Sequence, residues 1–328
     1  MEPLLIALIA FGLVFDFLNG FHDSSNIVAT VISSRALSPR KALYMAATAE
    51  FAAPFIFGVA VATTVGKEVI SPDAITLLVV LAGVLAAIVW NVLTWWLGIP
   101  SSSSHALIGG LLGAAILANG PAIVHLNGLA KVLLALFISP PIGLLAGYLI
   151  MRLSLFLTRN ATPRASTVFK RLQILTAISL ALSHGTNDAQ KTMGIITMGL
   201  VASGYQQTFA VPMWVIAISA AAIALGIAMG GWRLIRTLGG RIYKIRPIHG
   251  FTAQAASAGV ILSAALLGGP VSTTQVVSSA IMGAGAAERI SKVRWQVGRE
   301  MLTTWVLTIP ATAILAAILY IPLIKFLG

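Results

Sequence analysis

Gly20-Phe21-His22-Asp23-Ser24-Ser25-Asn26 lies inside an apolar stretch, and a related string, Gly185-Thr186-Asn187-Asp188-Ala189-Gln190-Lys191, follows 165 positions later. Leu, Ile, Val, Ala and Phe dominate on both sides of each string. A carboxylate at the depth of lipid tails costs about 3 kcal/mol or more on insertion scales. Two of them at matching places in two halves of a chain are poorly explained by packing. They point to a pathway for an ion or a polar solute.

The composition around the strings supports that depth. Of 328 residues, 58% are hydrophobic and 9% charged, whereas about a quarter are charged in a soluble domain. With a mean hydropathy of +0.95, the chain reads as an all-α polytopic membrane protein. Its apolar segments have the length of spanning helices, and the short alternating strands of a barrel are missing. Met1-Glu2-Pro3 lacks the basic segment of a cleaved signal, so the first apolar stretch is expected to be a retained helix. Without cysteine, disulfides, thiolate chemistry and cysteine-bound metals are excluded.

A net charge of +12 raises the question of nucleic acid. Its placement answers no. All basic residues except Lys67, Lys131, Lys191 and Lys325 fall in the stretches 35–41, 152–171, 233–246 and 289–299. That is the pattern of cytoplasmic loops under the positive-inside rule.

Apolar segments run at about 4–31, 42–62, 74–97, 101–118 and 126–157, then at about 168–203, 211–231, 248–267, 271–287 and 301–327. Crossing the membrane at each one from an external start puts all four basic stretches inside and both termini outside. The halves also repeat. Gly98-Ile99-Pro100-Ser101-Ser102-Ser103-Ser104-His105 aligns with Gly268-Gly269-Pro270-Val271-Ser272-Thr273-Thr274-Gln275 at an offset of 170. Five crossings per half is odd, so the halves are expected to insert in opposite senses. The expected organisation is a first transmembrane repeat over 1–157, a cytoplasmic linker at 158–167 and an inverted second repeat over 168–328. Inverted repeats with broken helices mark secondary transporters. Re-entrant hairpins built from 74–118 and 248–287 would bring the hydroxyl-rich runs to the membrane centre.

The residue types suggest roles. Gly20 is expected to let the helix unwind, exposing backbone groups to a cavity. Asp23 and Asn26 share a helix face, and Asp16 and Asn19 extend that oxygen-rich stripe. Such a stripe suits a hard cation or a proton. In the second copy Lys191 stands where Asn26 stands in the first. Its ammonium could pair with Asp188, attract an anion, or act as a built-in cation, which would favour proton coupling over sodium. The runs after Pro100 and Pro270 place hydroxyls and free N–H groups at helix N-termini, a ready oxyanion site; an ordinary cap needs only one of those hydroxyls. His22, His105 and His184 border these motifs, each as a proton relay or ligand or as a satisfied helix-contact histidine, and Glu50, Asn91 and Gln254 are polar groups at membrane depth that would line the pathway or join helices.

The four motif copies together resemble the inorganic phosphate transporter (Pit) family over nearly the whole chain. The resemblance implies a phosphate symporter with no resident cofactor and no enzymatic activity, held in a lipid bilayer and multi-pass in the cytoplasmic (inner) membrane. By position it implies Ser102, Ser103, Ser104, Ser272, Thr273 and Thr274 for phosphate. For the coupling cation or proton it implies Asp23, Asn26, Asn187 and Asp188, joined by Lys191 from the residue reading. A sodium ion would sit at Asp23 and Asp188.

Gln190-Lys191 departs from the Ala-Asn of sodium-coupled members and is similar to the bacterial low-affinity permeases. That points to H⁺ rather than Na⁺ coupling and to carriage of metal–phosphate. The family also contains sulfate carriers, so a sulfate permease is one alternative and a passive anion channel another. The resemblance is compatible with a homo-oligomer and with a PhoU-like cytoplasmic regulator docking on the basic loops.

Overall fold

The computed structural model describes residues 2–70, 75–99, 101–162, 165–230 and 245–327. Pro100, Arg164 and the basic stretch 233–244 lie outside those described residues. The chain is helical: α1 Pro3–Ser33, α2 Pro39–Phe57, α3 Ala60–Thr63 with a π turn at Thr64–Glu68, α4 Leu77–Leu97, α5 Ser103–Asn119 and α6 Leu126–Leu157. The second half holds α7 Ala165–Ala202, α8 Met213–Met229, α9 Pro247–Leu266, α10 Thr273–Glu288 and α11 Trp295–Leu327. One isolated bridge, Ile70 to Val124, is the only β pairing among the described residues. Among the described residues, five helices are long and apolar enough to cross a membrane, or six if a bent pair is one span.

The expected unwinding at Gly20 does not occur. α1 runs unbroken through Gly20–Asn26, and α7 through Gly185–Lys191. The glycines serve close approach instead. A Cβ on Gly20 would strike the carbonyl of Ile223 on α8, and one on Gly226 would strike the carbonyl of Phe17 on α1. A Cβ on Gly185 would crowd Glu50 on α2. Missing side chains thus bring neighbouring helices into backbone contact, and the helical hydrogen bonds stay intact.

The breaks fall elsewhere. The apolar segment 42–62, expected as one span, bends by 74° between α2 and Ala60–Glu68. Pro54 weakens the end of α2, and Gly58 supplies φ of +82°. Gln190 of α7 then supplies what the broken helix lacks. Its Oε1 accepts from the N–H of Val61 (2.7 Å) and Ala62 (3.2 Å), and its Nε2 donates to the carbonyl of Gly58 (2.6 Å). Replacing Gln190 by Leu would strand those groups away from water, at about 1–3 kcal/mol each. Gln190→Leu is therefore expected to lower the thermal unfolding midpoint of the purified protein by about 5 °C or more. An unchanged midpoint would show that the bend does not depend on this side chain.

α4–α5 and α9–α10 are helical hairpins. Each first arm ends at a left-handed glycine, Gly98 (φ +71°) or Gly268 (φ +72°). Each second arm starts at a capping serine. Ser102 accepts from the N–H of His105 (3.2 Å), and Ser272 from that of Gln275 (3.4 Å). The hairpin arms close tightly where Gly83 of α4 meets Gly110 of α5.

Packing is exchanged between halves. α1 lies on α8 as α7 lies on α2, α5 on α11 as α10 on α6, and α4 on α11 as α9 on α6. Leu5 and Leu8 lie against Gly199, Gly12 lies against Thr192 and Ile196, and Asn19 bonds Asp188. Rising numbers on α1 therefore meet falling numbers on α7, and the two helices run antiparallel.

Candidate functional site

The two hairpin tips meet beside the polar strings of α1 and α7. Ser104 Oγ, in the first turn of α5, donates to the carbonyl of Val271, which precedes the α10 tip (2.9 Å). None of the eleven residues singled out from sequence is more than 6% exposed. In a chain that is 9% charged, this is a concentrated polar core.

Asp23 and Asp188 bind the same hydroxyl. Thr273 Oγ1 lies 3.3 Å from Asp23 Oδ2 and 3.1 Å from Asp188 Oδ2. Asp23 Oδ1 accepts from Asn26 Nδ2 (2.8 Å) and from Thr274 Oγ1 (2.9 Å), and Asn26 Nδ2 also reaches Thr274 Oγ1 (2.9 Å). His22 Nδ1 stands 3.2 Å from Asp23 Oδ1. On the other side, Lys191 Nζ pairs with Asp188 Oδ1 and donates to Ser104 Oγ at 2.6 Å. It also approaches the carbonyl of Val271 at 3.4 Å. The α10 tip thus leans on Asp23 through Thr274, and the α5 tip leans on Asp188 through Lys191.

The remaining singled-out residues differ in placement. Ser102 and Ser272 are the helix caps described above, and the Ser102 hydroxyl also meets His105 Nδ1 at 2.7 Å. Ser103 is buried in the first turn of α5. Asn187 does not join the carboxylates; its Nδ2 donates to the carbonyl of Gly269 (3.1 Å) and so holds the segment leading to the α10 tip. First-turn N–H groups of α5 and α10 lack intrahelical acceptors, and the positive ends of both helix dipoles converge here.

Two further members of the cluster, His184 and Glu50, were legible from sequence only with their roles left open. His184 Nε2 lies 3.6 Å from Asp23 Oδ2 and 3.3 Å from Asp188 Oδ2. Its Nδ1 meets Glu50 Oε1 at 2.7 Å, across from α2. The imidazole therefore bridges three carboxylates. The signal for Glu50 was present, as the one acid in the apolar segment 42–62; nothing in the sequence pairs it with His184.

Asp23, His184 and Asp188 present ligand atoms within 4.8 Å of one another, a spacing that could hold a cation. A histidine nitrogen is a poor partner for a hard monovalent cation, which prefers oxygen. The same nitrogen suits a proton shared among carboxylates. Chemically, the arrangement offers neutral hydroxyl and N–H donors for an oxyanion, with a fixed ammonium and proton-binding groups around them.

A family model described as "Phosphate transporter family" matches residues 19–165 and 155–316. The "probable low-affinity inorganic phosphate transporter" of Rhizobium meliloti (strain 1021) is 45% identical over 97% of this chain and 96% of its own length. Its namesake in Bacillus subtilis (strain 168) is 43% identical over 97% and 96%. Among solved structures, "The sodium-dependent phosphate transporter" superposes with a TM-score of 0.89 at 25% identity, covering 99% of this chain and 100% of that one.

Proposed function

The chain belongs to the phosphate transporter family, and from that premise we propose that it is a secondary active symporter moving inorganic phosphate with protons. It is a multi-pass membrane transporter and not an enzyme. The observation that carries the finer reading is the meeting of two helix N-termini with Asp23, Asp188 and Lys191 in one buried cluster.

Phosphate is held at the paired tips by the hydroxyls of Ser103, Ser104, Thr273 and Thr274 and by first-turn N–H groups. Ser102 and Ser272 shape those turns. Phosphate, unlike sulfate, carries an ionisable O–H near neutral pH. Asp23 and Asp188 can accept that hydrogen bond, whereas sulfate has no such hydrogen to offer them, which favours phosphate. Lys191 supplies a permanent positive charge to one half of the site, where the other half has Asn26. With one cation built in, the mobile coupling charge is a proton shared by Asp23, His184 and Asp188.

The antiparallel run of α1 and α7, with the exchanged packing, supports halves 1–157 and 168–328 inserted in opposite senses. Access alternates as one half rocks against the other around the tips. A second reading is sodium coupling. It draws on the solved sodium-dependent relative and on the close spacing of Asp23, His184 and Asp188.

Vesicles containing the purified chain test the proposal. Labelled phosphate is expected to accumulate under an inward proton gradient, with or without divalent metal, and a protonophore is expected to collapse it. Accumulation driven by sodium alone would establish the second reading. Uptake only in the presence of divalent metal would make metal–phosphate the cargo. Flux without saturation or accumulation would make the chain a channel, and preferential uptake of labelled sulfate would change the substrate.

A further inference from the structure

Asp16 is a buried carboxylate that the phosphate site leaves unused. It lies on α1 two turns before Asp23, about 10 Å along the axis, and is fully buried. Neither of its oxygens makes a hydrogen bond, and the same holds for Asn19 Oδ1 and Thr192 Oγ1. Asn19 follows three residues later on the same face of α1. Thr192 comes from α7, within reach of the Asp16 carboxylate and beside Gly12. Four acceptor oxygens on two packed helices thus hold a single hydrogen among them, that of the Thr192 hydroxyl.

Leaving acceptors unanswered away from water is costly, and a bare carboxylate there is more so. One proton resolves the whole group. A protonated Asp16 donates to Asn19 Oδ1, while Thr192 donates to the second Asp16 oxygen. Asn19 is also the link to the phosphate site, because its Nδ2 donates to Asp188 Oδ2 at 3.4 Å. If Asp16 loses its proton, the Asn19 amide is drawn toward the new charge and away from Asp188. The charged groups around Asp16 are Asp188 and Lys191 on α7 and Glu50 on α2. On α1 itself, His22 and Asp23 lie two turns on. α4 and α8, which also pack on α1, contain no ionisable side chain, and those of α9 and α10, His249 and Glu288, face each other far along those helices.

We propose that Asp16, Asn19 and Thr192 form a second proton site, separate from the Asp23–Asp188 cluster, which loads one coupling proton and signals it to Asp188 through the Asn19 amide. The inference rests on the chain being a proton–phosphate symporter.

The test uses the full chain in proteoliposomes: wild type, Asp16→Asn and Asp16→Glu. Labelled phosphate accumulation, protons entering per phosphate, and phosphate–phosphate exchange are measured together. Losing one coupled proton lowers the limiting accumulation about tenfold for each unit of imposed pH gradient. Asp16→Asn is expected to show that drop and one fewer proton per phosphate, while exchange, which needs no net proton movement, falls far less. Asp16→Glu is expected to restore both readouts. An unchanged proton count in Asp16→Asn overturns the inference. So does an equal loss of exchange and accumulation in both variants, or a loss that appears only in sodium dependence. If wild-type vesicles neither exchange nor accumulate phosphate, the symporter reading itself fails and the second site falls with it.

Discussion

Asp23→Asn is expected to reduce phosphate uptake by about a hundredfold or more while the protein still inserts. The carboxylate is 1% exposed and holds both hairpin-tip threonines of α10, Thr273 through Oδ2 and Thr274 through Oδ1. It also faces His184 and His22. The amide keeps the size but loses the charge, and its Nδ2 would present a donor where Oδ1 or Oδ2 now accepts. Removing one member of a buried charged network costs about 3–5 kcal/mol, and about 2.7 kcal/mol is a hundredfold in rate. Helix formation is untouched, because α1 runs through position 23 on its own backbone bonds. Uptake per amount of membrane-inserted protein is the measurement. Near-normal transport by Asp23→Asn would remove Asp23 from the mechanism.

Lys191→Asn is expected to have the second large effect, and its pattern separates a structural ion pair from a built-in cation. The Lys191 ammonium pairs with Asp188 and joins it to the α5 tip through Ser104 Oγ at 2.6 Å. Without it, Asp188 is a fully buried carboxylate with one partner fewer, at about 3–5 kcal/mol. Proton-driven uptake is expected to fall about a hundredfold on the same scale. The substitution also makes the second half resemble the first, where Asn26 stands at this position. Adding sodium is therefore expected to restore part of the uptake, since a cation can fill the vacated place between oxygens of Asp188, Ser104 and Val271. If sodium restores nothing and the variant also unfolds at lower temperature, Lys191 is a structural neutraliser alone. Full uptake without sodium would deny it either role.

Much of the site was legible in the sequence because its elements are locally improbable. Asp23, Asp188 and Lys191 stand out against apolar neighbours whatever the fold, and the hydroxyl runs at Ser102–Ser104 and Ser272–Thr274 exceed what capping requires. Their duplication at offsets of 165 and 170 ties them to one architecture. The helix starts at Ser102 and Ser272 were equally local matters. Glu50 and His184 were not legible as a pair. Each is a single ionisable residue, and only the packing of α2 on α7 brings them to 2.7 Å. Gln190 is similar: beside Lys191 it marks a departure from other motifs, but its work lies on the bend at Gly58–Ala62, 128 or more positions away.

The sequence by itself determined that this chain lives in a membrane, that it is a duplicated helical transporter, and which strings hold charge and hydroxyls. These follow from composition and short-range spacing, which act before any long-range contact forms. Only the tertiary structure decided where the helices break. Gly20, read locally, permits unwinding, yet close contact with α8 makes the straight helix the better-packed state. The bend falls instead at Gly58, where a side chain from the other half answers the exposed backbone. The same holds for the lone acids. A buried carboxylate is costly anywhere along a span; Lys191 answers Asp188 from three residues on along the same helix, but that Glu50 meets His184 and that Thr192 faces Asp16 is set by which helix lies opposite.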